Sequence, residues 1–277
     1  MTRLVILDCD NALGLPGRDV DDALALLFLL RQPDVQLRAV TTCFGNAPLD
    51  GVLRVTRRLL PLLERPDLPV MAGARRPGQG ATEAARYLVE ATAAEPGRIT
   101  ILAIGPVSNL AAAAALDTDF LARCASIICL GGSLGLARLG WRRLRELNFK
   151  ADQDAAQALL AQRHCPVTVV PATSCVELRL GAADLSGLHP ALREDVRRWL
   201  LVCRLGRGIR TMVAWDMVAA LALSHPYLLR SMAATVNLRN CGLVEAAAGG
   251  PHRLVLGLAN PESARQVMLK GLAPAAQ

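Results

Sequence analysis

Acidic side chains are concentrated in one short stretch near the start of the chain. The stretch holds five aspartates, which are Asp8, Asp10, Asp19, Asp21 and Asp22. Carboxylates confined to so small a region repel one another, and a bound divalent cation with oxygen ligands relieves that repulsion. An aspartate that caps a following helix would account for one carboxylate and leave the others unexplained. The pattern therefore predicts a metal site.

The surrounding elements decide whether these aspartates can meet. Short apolar runs alternate with longer helical patterns over the first part of the chain, which is typical of βαβ units. The predicted strands are Leu4–Leu7, Leu37–Thr42, Val70–Ala72, Ile99–Ile104, Ser126–Leu130 and Val167–Val170, and later Ala233–Leu238 and His252–Leu258. The predicted helices are Asp22–Leu30, Leu49–Leu63, Ala81–Ala93, Val107–Leu116, Asp154–Ala161, His189–Arg204 and Asp216–Leu223, with one more at the end.

These elements predict one α/β domain over residues 1–277, because no linker, repeat or low-complexity segment divides the chain. We expect a mainly parallel, Rossmann-like central sheet flanked by helices. Ligands of such sheets bind at the carboxyl ends of the strands. The predicted metal site therefore belongs at that edge.

Composition excludes several classes of protein. The chain has 277 residues, of which 52% are hydrophobic, so it can bury a large core. No apolar run approaches the roughly 20 residues of a membrane span, and Asp8 follows the first apolar run too soon for a signal peptide. We therefore expect a cytoplasmic protein that does not associate with a membrane.

Charge and cysteine usage add two further expectations. The formal net charge is +7, but the arginines are scattered and only Lys150 and Lys270 are lysines, so we expect no nucleic-acid partner. The eight cysteines form no Cys-x-x-Cys pair and no cluster with zinc spacing. We expect most of them to be buried, reduced thiols.

Seven groups of residues along the chain, including the aspartates already described, are compared as motifs. In chain order they are Asp8-Cys9-Asp10 with Asp21-Asp22-Ala23-Leu24-Ala25-Leu26, then Thr41–Asn46, Ile104–Ala111, Leu130-Gly131-Gly132, Glu146-Leu147-Asn148, Asp152–Ala156 and Trp215-Asp216. Together they resemble the motifs of the inosine-uridine nucleoside hydrolase family, in the same order over nearly the whole chain.

The resemblance implies a Ca²⁺ cofactor and a small-molecule nucleoside substrate. The ion would be held by Asp10, Asp22, Asp216 and the backbone carbonyl of Ile104, all hard oxygen donors. Asp10 would also serve as the general base for the attacking water. Asp21, Asn46 and Asn148 would bind ribose hydroxyls, and Glu146 the 5′-hydroxyl. The implied reaction is hydrolysis of the N-glycosidic bond to free base and ribose.

The leaving base must also be activated, and here the sequence has Trp215 where many members of the family have a histidine. A tryptophan at this place resembles the purine-preferring branch, in which an indole stacks on the base. We therefore expect Trp215 to act by stacking and the substrate to be a purine or modified nucleoside.

The chain departs from the family at three places. The segment from Gly73 to Ala81 is shorter than the family's closing loop, and no asparagine lies between Gly132 and Glu146, where Gly135, Gly140 and arginines stand instead. Residues 12–18 are an insertion beside the predicted metal, and Asn11 is expected to reach inward and contact substrate.

Two other functions compete with this reading. The run Leu7-Asp8-Cys9-Asp10-Asn11 also resembles the nucleophile motif of haloacid-dehalogenase-like phosphohydrolases, although neither lysine follows a suitable strand. A nonenzymatic relative that binds Ca²⁺ and ribose without turnover is the second alternative. Family members commonly form dimers or tetramers, so the resemblance implies a homo-oligomer.

Overall fold

The computed structural model describes residues 2–136 and 138–274 of the chain. Its strands are β1 (Arg3–Cys9), β2 (Val35–Thr42), β3 (Val70–Ala72), β4 (Ile99–Ala103), β5 (Ser126–Leu130), β6 (Arg138–Leu139), β7 (Arg142–Arg143), β8 (Val167–Val170), β9 (Arg179–Gly181), β10 (Thr211–Val213), β11 (Leu229–Leu238), β12 (Val244–Ala248) and β13 (His252–Leu258). Its helices are α1 (Asp21–Leu30), α2 (Leu49–Leu62), α3 (Glu83–Ala94), α4 (Ser108–Leu116), α5 (Phe120–Arg123), α6 (Asn148–Ala151), α7 (Gln153–Ala161), α8 (Pro190–Arg207), α9 (Trp215–Ser224) and α10 (Pro261–Leu272).

Nine of these strands form one central sheet in the order β12-β11-β13-β8-β5-β4-β1-β2-β3. Neighbouring strands from β13 to β3 run parallel, while β11 pairs antiparallel with both β13 and β12. The β6–β7 hairpin and the antiparallel pair of β9 with β10, between which α8 lies in the chain, stand apart from this sheet. The prediction of a single α/β domain with a mainly parallel sheet is confirmed.

The sheet is covered by a hydrophobic layer on each face. Along β1, Val5 and Leu7 pack into the cluster that contains α1, α8, α9 and α10, whereas Leu4 and Ile6 pack into the cluster that contains α3, α4 and α7. Successive side chains of a strand point to opposite faces, so an uninterrupted apolar run is what a strand buried on both faces requires. The result is a three-layer α/β/α arrangement.

Helices α1 and α9 are the two elements that matter most for the site. In α1, every residue from Asp21 to Leu29 is buried, and in α9 most residues are buried, including Asp216. Helices that are apolar on all sides belong in an interior, and these two pack against each other beside the sheet. Their amino ends, which carry aspartates, are therefore fixed by a large apolar contact.

The sequence predicted most elements with small errors at their ends. The largest shift is in β11, which begins at Leu229 and not at Ala233. The strand β12 was missed because it is an edge strand whose residues after Val244 are exposed, so it lacks the apolar alternation that marks a half-buried strand. The strands β6, β7, β9 and β10 have only two or three residues each, which is too short to give a periodic signal.

Two general features of the chain bear on the sequence-based expectations. No helix among the described residues is long and apolar enough to cross a lipid bilayer.

The thiols of seven cysteines are buried and free: Cys9, Cys43, Cys124, Cys129, Cys165, Cys175 and Cys203. Burial raises the pKa of the Cys165 and Cys203 thiols to about 11. The expectation of buried, reduced thiols is confirmed for these seven.

The packing of α9 predicts a sharp contrast between two leucine-to-alanine substitutions. Leu221 is fully buried in α9, whereas Leu62 at the end of α2 is 54% exposed. Leu221→Ala should lower the free energy of unfolding by about 2 to 5 kcal/mol, because it leaves a cavity in the core. Leu62→Ala should change it by less than about 1 kcal/mol. Urea unfolding measures both, and equal losses would contradict this description of the core.

Candidate active site

The candidate site lies where the chain reverses its direction of travel across the sheet. From β1 the chain builds outward through β2 and β3, and it then returns to add β4 on the other side of β1. In register, Asp8 of β1 lies opposite Thr41 of β2 and Ala103 of β4. The residues just beyond these strands, Asp10 and Ile104 among them, therefore meet at one edge. Such a switch point is where open α/β sheets bind ligands.

A cavity of about 700 Å³ opens at this edge. Its lining combines acidic, basic and apolar residues. We call the aspartates Asp10, Asp19, Asp21, Asp22 and Asp216 the acidic wall. The lining residues are Asp10, Asp19, Asp21, Asp22, Asn46, Ile104, Leu130, Gly131, Leu139, Arg142, Arg143, Leu144, Arg145, Glu146, Leu147, Asn148, Ala172, Arg207, Trp215 and Asp216. The structure thus brings to one cavity all the residues that the sequence predicted for the site, except Asn11.

The acidic wall is centred on three carboxylates. Oxygen atoms of Asp21, Asp22 and Asp216 lie within 4.8 Å of one another, and all three residues are buried. Asp21 and Asp22 begin α1 and Asp216 lies in the first turn of α9, so the positive ends of two helix dipoles face the cluster. The backbone N–H of Asp216 donates to Asp21 Oδ2 at 3.1 Å, which ties the two helix ends together.

Asp10 joins this cluster through its backbone. Its N–H donates to Asp22 Oδ1 at 3.1 Å, and its own Oδ2 accepts from the backbone N–H of Asn46. Gly45 makes this contact possible with φ at 149°, because a Cβ there would collide with Asp10 Oδ2 and approach Pro106 Cδ to 2.8 Å. Asp10 is therefore held in one position at the strand end.

Burial and mutual repulsion raise the pKa values of these carboxyl groups. Burial raises the pKa of Asp10 to about 7, although the hydrogen bond from Asn46 works in the opposite direction. Burial, followed by repulsion from Asp10 and Asp21, holds the pKa of Asp22 well above its usual range. The pKa of Asp216 is raised in the same way by burial and by Asp21. The cluster lacks positive charge of its own.

The donor set fits a hard divalent cation. Every available ligand atom in the cluster is an oxygen, and the Ile104 carbonyl, which belongs to a residue lining the same cavity, accepts a hydrogen bond from Asn148 Nδ2 at 2.7 Å. A carbonyl oxygen has a second lone pair that remains available for a ligand. Carboxylate and carbonyl oxygens are the ligands that Ca²⁺ takes in proteins.

Asn46 and Asn148, which were predicted to bind ribose, already form hydrogen bonds with the protein backbone. Both ends of the Asn46 amide pair with the backbone of Asp19, at 3.1 Å each. Asn148, which lines the cavity, also donates from Nδ2 to the Leu130 carbonyl at 2.9 Å, so these two bonds do not use its Oδ1. These bonds fix the orientation of both amides.

Both carboxylate oxygens of Glu146 form hydrogen bonds with the backbone. Its Oε1 accepts from the backbone N–H of Phe149 and its Oε2 from that of Lys150, at 2.8 Å each, so the carboxylate caps the short helix α6. Burial nevertheless raises the pKa of this carboxyl group.

Trp215 stands next to the acidic wall and is 9% exposed. Its neighbour in the cavity is Arg207, whose guanidinium carbon lies 5.9 Å from the Trp215 ring centroid and 5.0 Å from that of Trp199. These are cation–π distances, and they place a cation at the indole. Sequence reasoning missed Arg207, and the available signal was its position on the same helical face as Trp199, eight residues earlier.

Other residues of the family-like motifs do not line the cavity and instead connect the elements around it. Asp8 Oδ1 accepts from Thr41 Oγ1 at 2.6 Å and from Asn109 Nδ2 at 2.7 Å, and burial raises the pKa of Asp8 to about 6. Ser108 donates to Asp152, which also caps α7 and accepts from the N–H of Gly78. These bonds connect β1, β2, α4 and α7 without reaching the ligand space.

Of the segments that depart from the family, the stretch between Gly132 and Glu146 lines the cavity through Leu139, Arg142, Arg143, Leu144 and Arg145, whereas the other two lie outside the lining. Asn11 is buried, and its amide donates to Thr56 and accepts from the N–H of Leu13, so it shapes a turn. The insertion 12–18 packs toward α2 through Ala12 and toward α8 through Gly14. The segment 73–81 contributes no lining residue in the described structure.

Comparison with known proteins decides the family. The model of the inosine-uridine preferring nucleoside hydrolase family matches residues 5–253. The chain belongs to this family. It is therefore an enzyme of the nucleoside N-ribohydrolase class, which decides against the phosphohydrolase alternative.

Relatives in sequence carry names of the same class. The pyrimidine-specific ribonucleoside hydrolase RihA of Klebsiella pneumoniae is 29% identical over 241 residues, which are 77% of this chain and 70% of that protein. The protein of the same name from Enterobacter sp. strain 638 is 30% identical over 77% of this chain and 69% of its own.

Solved structures share the fold of this nucleoside hydrolase. A plant nucleoside hydrolase, PpNRh1, superposes with a TM-score of 0.87 at 22% identity, over 99% of this chain and 100% of the other. A purine-preferring ribonucleoside hydrolase from Gardnerella vaginalis gives 0.85 at 17% identity over the same shares.

The raised pKa of Asp10 predicts how pH affects stability when no divalent cation is present. The unfolded chain loses this proton near pH 4 and the folded chain only near pH 7, so ionisation makes folding less favourable across that window. In chelator, Asp10→Asn should therefore melt progressively higher than the wild type from pH 4 to pH 7, by a few °C at the upper end. Thermal melts measure this, and a constant difference across the window would contradict the pKa shift.

Proposed function

We propose that this protein is a Ca²⁺-dependent hydrolase of the N-glycosidic bond of ribonucleosides, with a purine or a modified nucleoside as substrate. The observation that carries the proposal is the buried cluster of Asp10, Asp21, Asp22 and Asp216 at the wall of a cavity. A neutral polyol such as ribose and one divalent cation together match that wall in charge and hydrogen bonding.

The metal assignment is an inference from donor chemistry. Asp10, Asp22, Asp216 and the Ile104 carbonyl would hold the ion, and Asp21 also lies close enough to contribute an oxygen. When bound, Ca²⁺ would orient the ribose diol and make the nucleophilic water more acidic.

The chain's own residues supply base catalysis and positioning. Asp10 accepts the proton of the attacking water, which adds to C1′ as the bond to the base nitrogen breaks. Asp21, Asn46 and Asn148 bind ribose hydroxyls, and Glu146 marks the 5′ end. Carboxylates beside the sugar stabilise the positive charge that develops on the ring in an oxocarbenium-like transition state.

Trp215 activates the leaving base by stacking in this proposal. An indole N–H is not acidic enough to protonate the base, and none of the cavity-lining residues is a histidine. The base departs with the electron pair of the broken bond and takes up a proton. A purine presents the larger stacking surface, whereas the curated relatives are named for pyrimidines, so base preference is the decisive measurement.

The proposal includes a cytoplasmic location, a homo-oligomer of two or four chains, and no nucleic-acid partner. In the described structure, most surface arginines are distributed over several helices and strands, and many form ion pairs. Gel filtration combined with light scattering would measure the oligomeric state.

Removing the Asp10 carboxylate should abolish both turnover and metal binding. In Asp10→Ala, the remaining carboxylates cannot offset the dehydration of the ion. A reducing-sugar assay over a nucleoside panel and Ca²⁺ titration calorimetry would measure the two effects. Asp119→Ala, on an exposed loop before α5, is the matched control and should retain both.

A wild-type protein that binds Ca²⁺ and ribose but releases no base from any nucleoside would contradict the proposed activity. Full activity of metal-stripped Asp10→Ala would refute the proposed role of both the residue and the ion.

Substitution of Trp215 should weaken catalysis without affecting metal binding. Trp215→Ala should lose kcat/KM corresponding to about 1 to 3 kcal/mol, the usual worth of a base–aromatic stack, and Trp215→Phe should recover part of it. Purines should react faster than pyrimidines. Tyr227→Ala, which removes a 71% exposed aromatic ring, is the control. Uridine reacting faster than inosine, or unchanged rates in Trp215→Ala, would place the base elsewhere.

A further inference from the structure

Four arginines line the same cavity as the aspartates. Arg142, Arg143 and Arg145 are exposed, and Arg207 is partly buried beside two indole rings. None of them forms an ion pair within residues 2–136 and 138–274. A neutral nucleoside has no group that requires such a concentration of cations.

The position of these arginines follows from a hairpin that leans on α8. Gly140, at the turn between β6 and β7, contacts the backbone carbonyl of Arg207, and Gly208 contacts the ring of Trp141. Both glycines have positive φ, at 60° and 70°, and a Cβ at either would collide with its partner. The hairpin and the carboxyl end of α8 thus form one surface that lines the cavity. We call its four arginines, Arg142, Arg143, Arg145 and Arg207, the arginine rim.

The arginine rim continues directly into the residues that mark the 5′ end of the sugar. Arg145 precedes Glu146, whose two carboxylate oxygens already accept backbone N–H groups of α6. A 5′ substituent would therefore meet few free acceptors at Glu146 and several free guanidinium donors beyond it. Guanidinium groups bind phosphate oxygens through paired, charge-assisted hydrogen bonds.

We propose that the preferred substrates are ribonucleoside 5′-monophosphates, with the 5′-phosphate bound by Arg142, Arg143 and Arg145. This rests on the proposed function, since it names the substrate class of the same site. The cavity then has two complementary parts. The acidic wall binds the cation and the ribose diol, and the arginine rim binds the phosphate.

The reaction on such a substrate needs no new co-reactant. Water forms a bond from its oxygen to C1′ and the C1′–N bond breaks, with the electron pair staying on the base nitrogen, which takes up a proton. The products are free base and ribose 5-phosphate, and the phosphate ester is untouched.

The test compares each nucleotide with its parent nucleoside on the same enzyme in the presence of Ca²⁺. For inosine 5′-monophosphate and uridine 5′-monophosphate, kcat/KM should exceed that of inosine and uridine by at least about tenfold, the effect of one charge-assisted hydrogen bond. The ratio should fall as salt rises from about 0.05 to about 0.5 M, because exposed charges are screened. Calorimetry should show tighter binding of ribose 5-phosphate than of ribose.

Substitutions then locate the phosphate. The combined variant Arg142→Gln, Arg143→Gln and Arg145→Gln should lower the nucleotide-to-nucleoside ratio by about tenfold or more, while Arg145→Lys should retain part of it. Arg163→Gln, an exposed arginine after α7 and outside the cavity lining, should leave the ratio unchanged.

The remaining outcomes overturn the assignment in distinguishable ways. Hydrolysis of nucleosides with no preference for nucleotides refutes the phosphate site and leaves the proposed function standing. A preference for a nucleoside with a carboxylate on its base, such as orotidine, without one for nucleotides would assign the rim to the base. An equal loss on nucleosides and nucleotides in the triple variant would show that the rim only balances the acidic wall. Failure to hydrolyse either class refutes both proposals.

Discussion

Buried carboxylates at the end of β1 and at the starts of α1 and α9 repel one another, and the surrounding structure has to offset that repulsion. Carboxylate oxygens of Asp21, Asp22 and Asp216 lie within 4.8 Å of one another, and Asp10 is tied to Asp22 by a hydrogen bond, although each carboxylate would be better solvated in water. Backbone N–H groups, two helix amino ends and a glycine that allows close approach offset part of that cost. The apolar contact of α1 with α9 holds the arrangement in place, so the core and the site are one energetic unit.

The sheet topology makes this concentration of charge reachable from distant parts of the chain. Asp216 and Asp21 are 195 residues apart in sequence and share a hydrogen bond. The reversal of strand order beside β1 leaves a crevice between neighbouring loops, and α1 and α9 both begin at its edge. The segment between β5 and α6 and the end of α8 add arginines to the lining of the same cavity, so acidic and basic residues from distant parts of the chain meet there.

The sequence revealed most of the acidic wall and little of the rim. Asp10, Asp22 and Asp216 follow buried strands or open buried helices, and such apolar patterns are strong enough to place a side chain on an edge. Asn11 has the same neighbours in sequence, yet a local turn directs its amide to Thr56. Arg142 and Arg207 carry no periodic signal that relates them, since their proximity arises from contact between a short hairpin and the end of α8. Such contacts depend on tertiary packing alone.

The buried thiols give the chain a set of internal reporters. Only a thiolate reacts readily with alkylating reagents, and burial raises the pKa of these thiols as well as blocking access to them. Cys9 and Cys43 lie next to Asp10 at the carboxyl ends of β1 and β2. Cys165 lies just before β8, at the amino ends of the parallel strands. The order in which these positions are alkylated under native conditions therefore distinguishes local opening of the catalytic edge from unfolding of the whole domain.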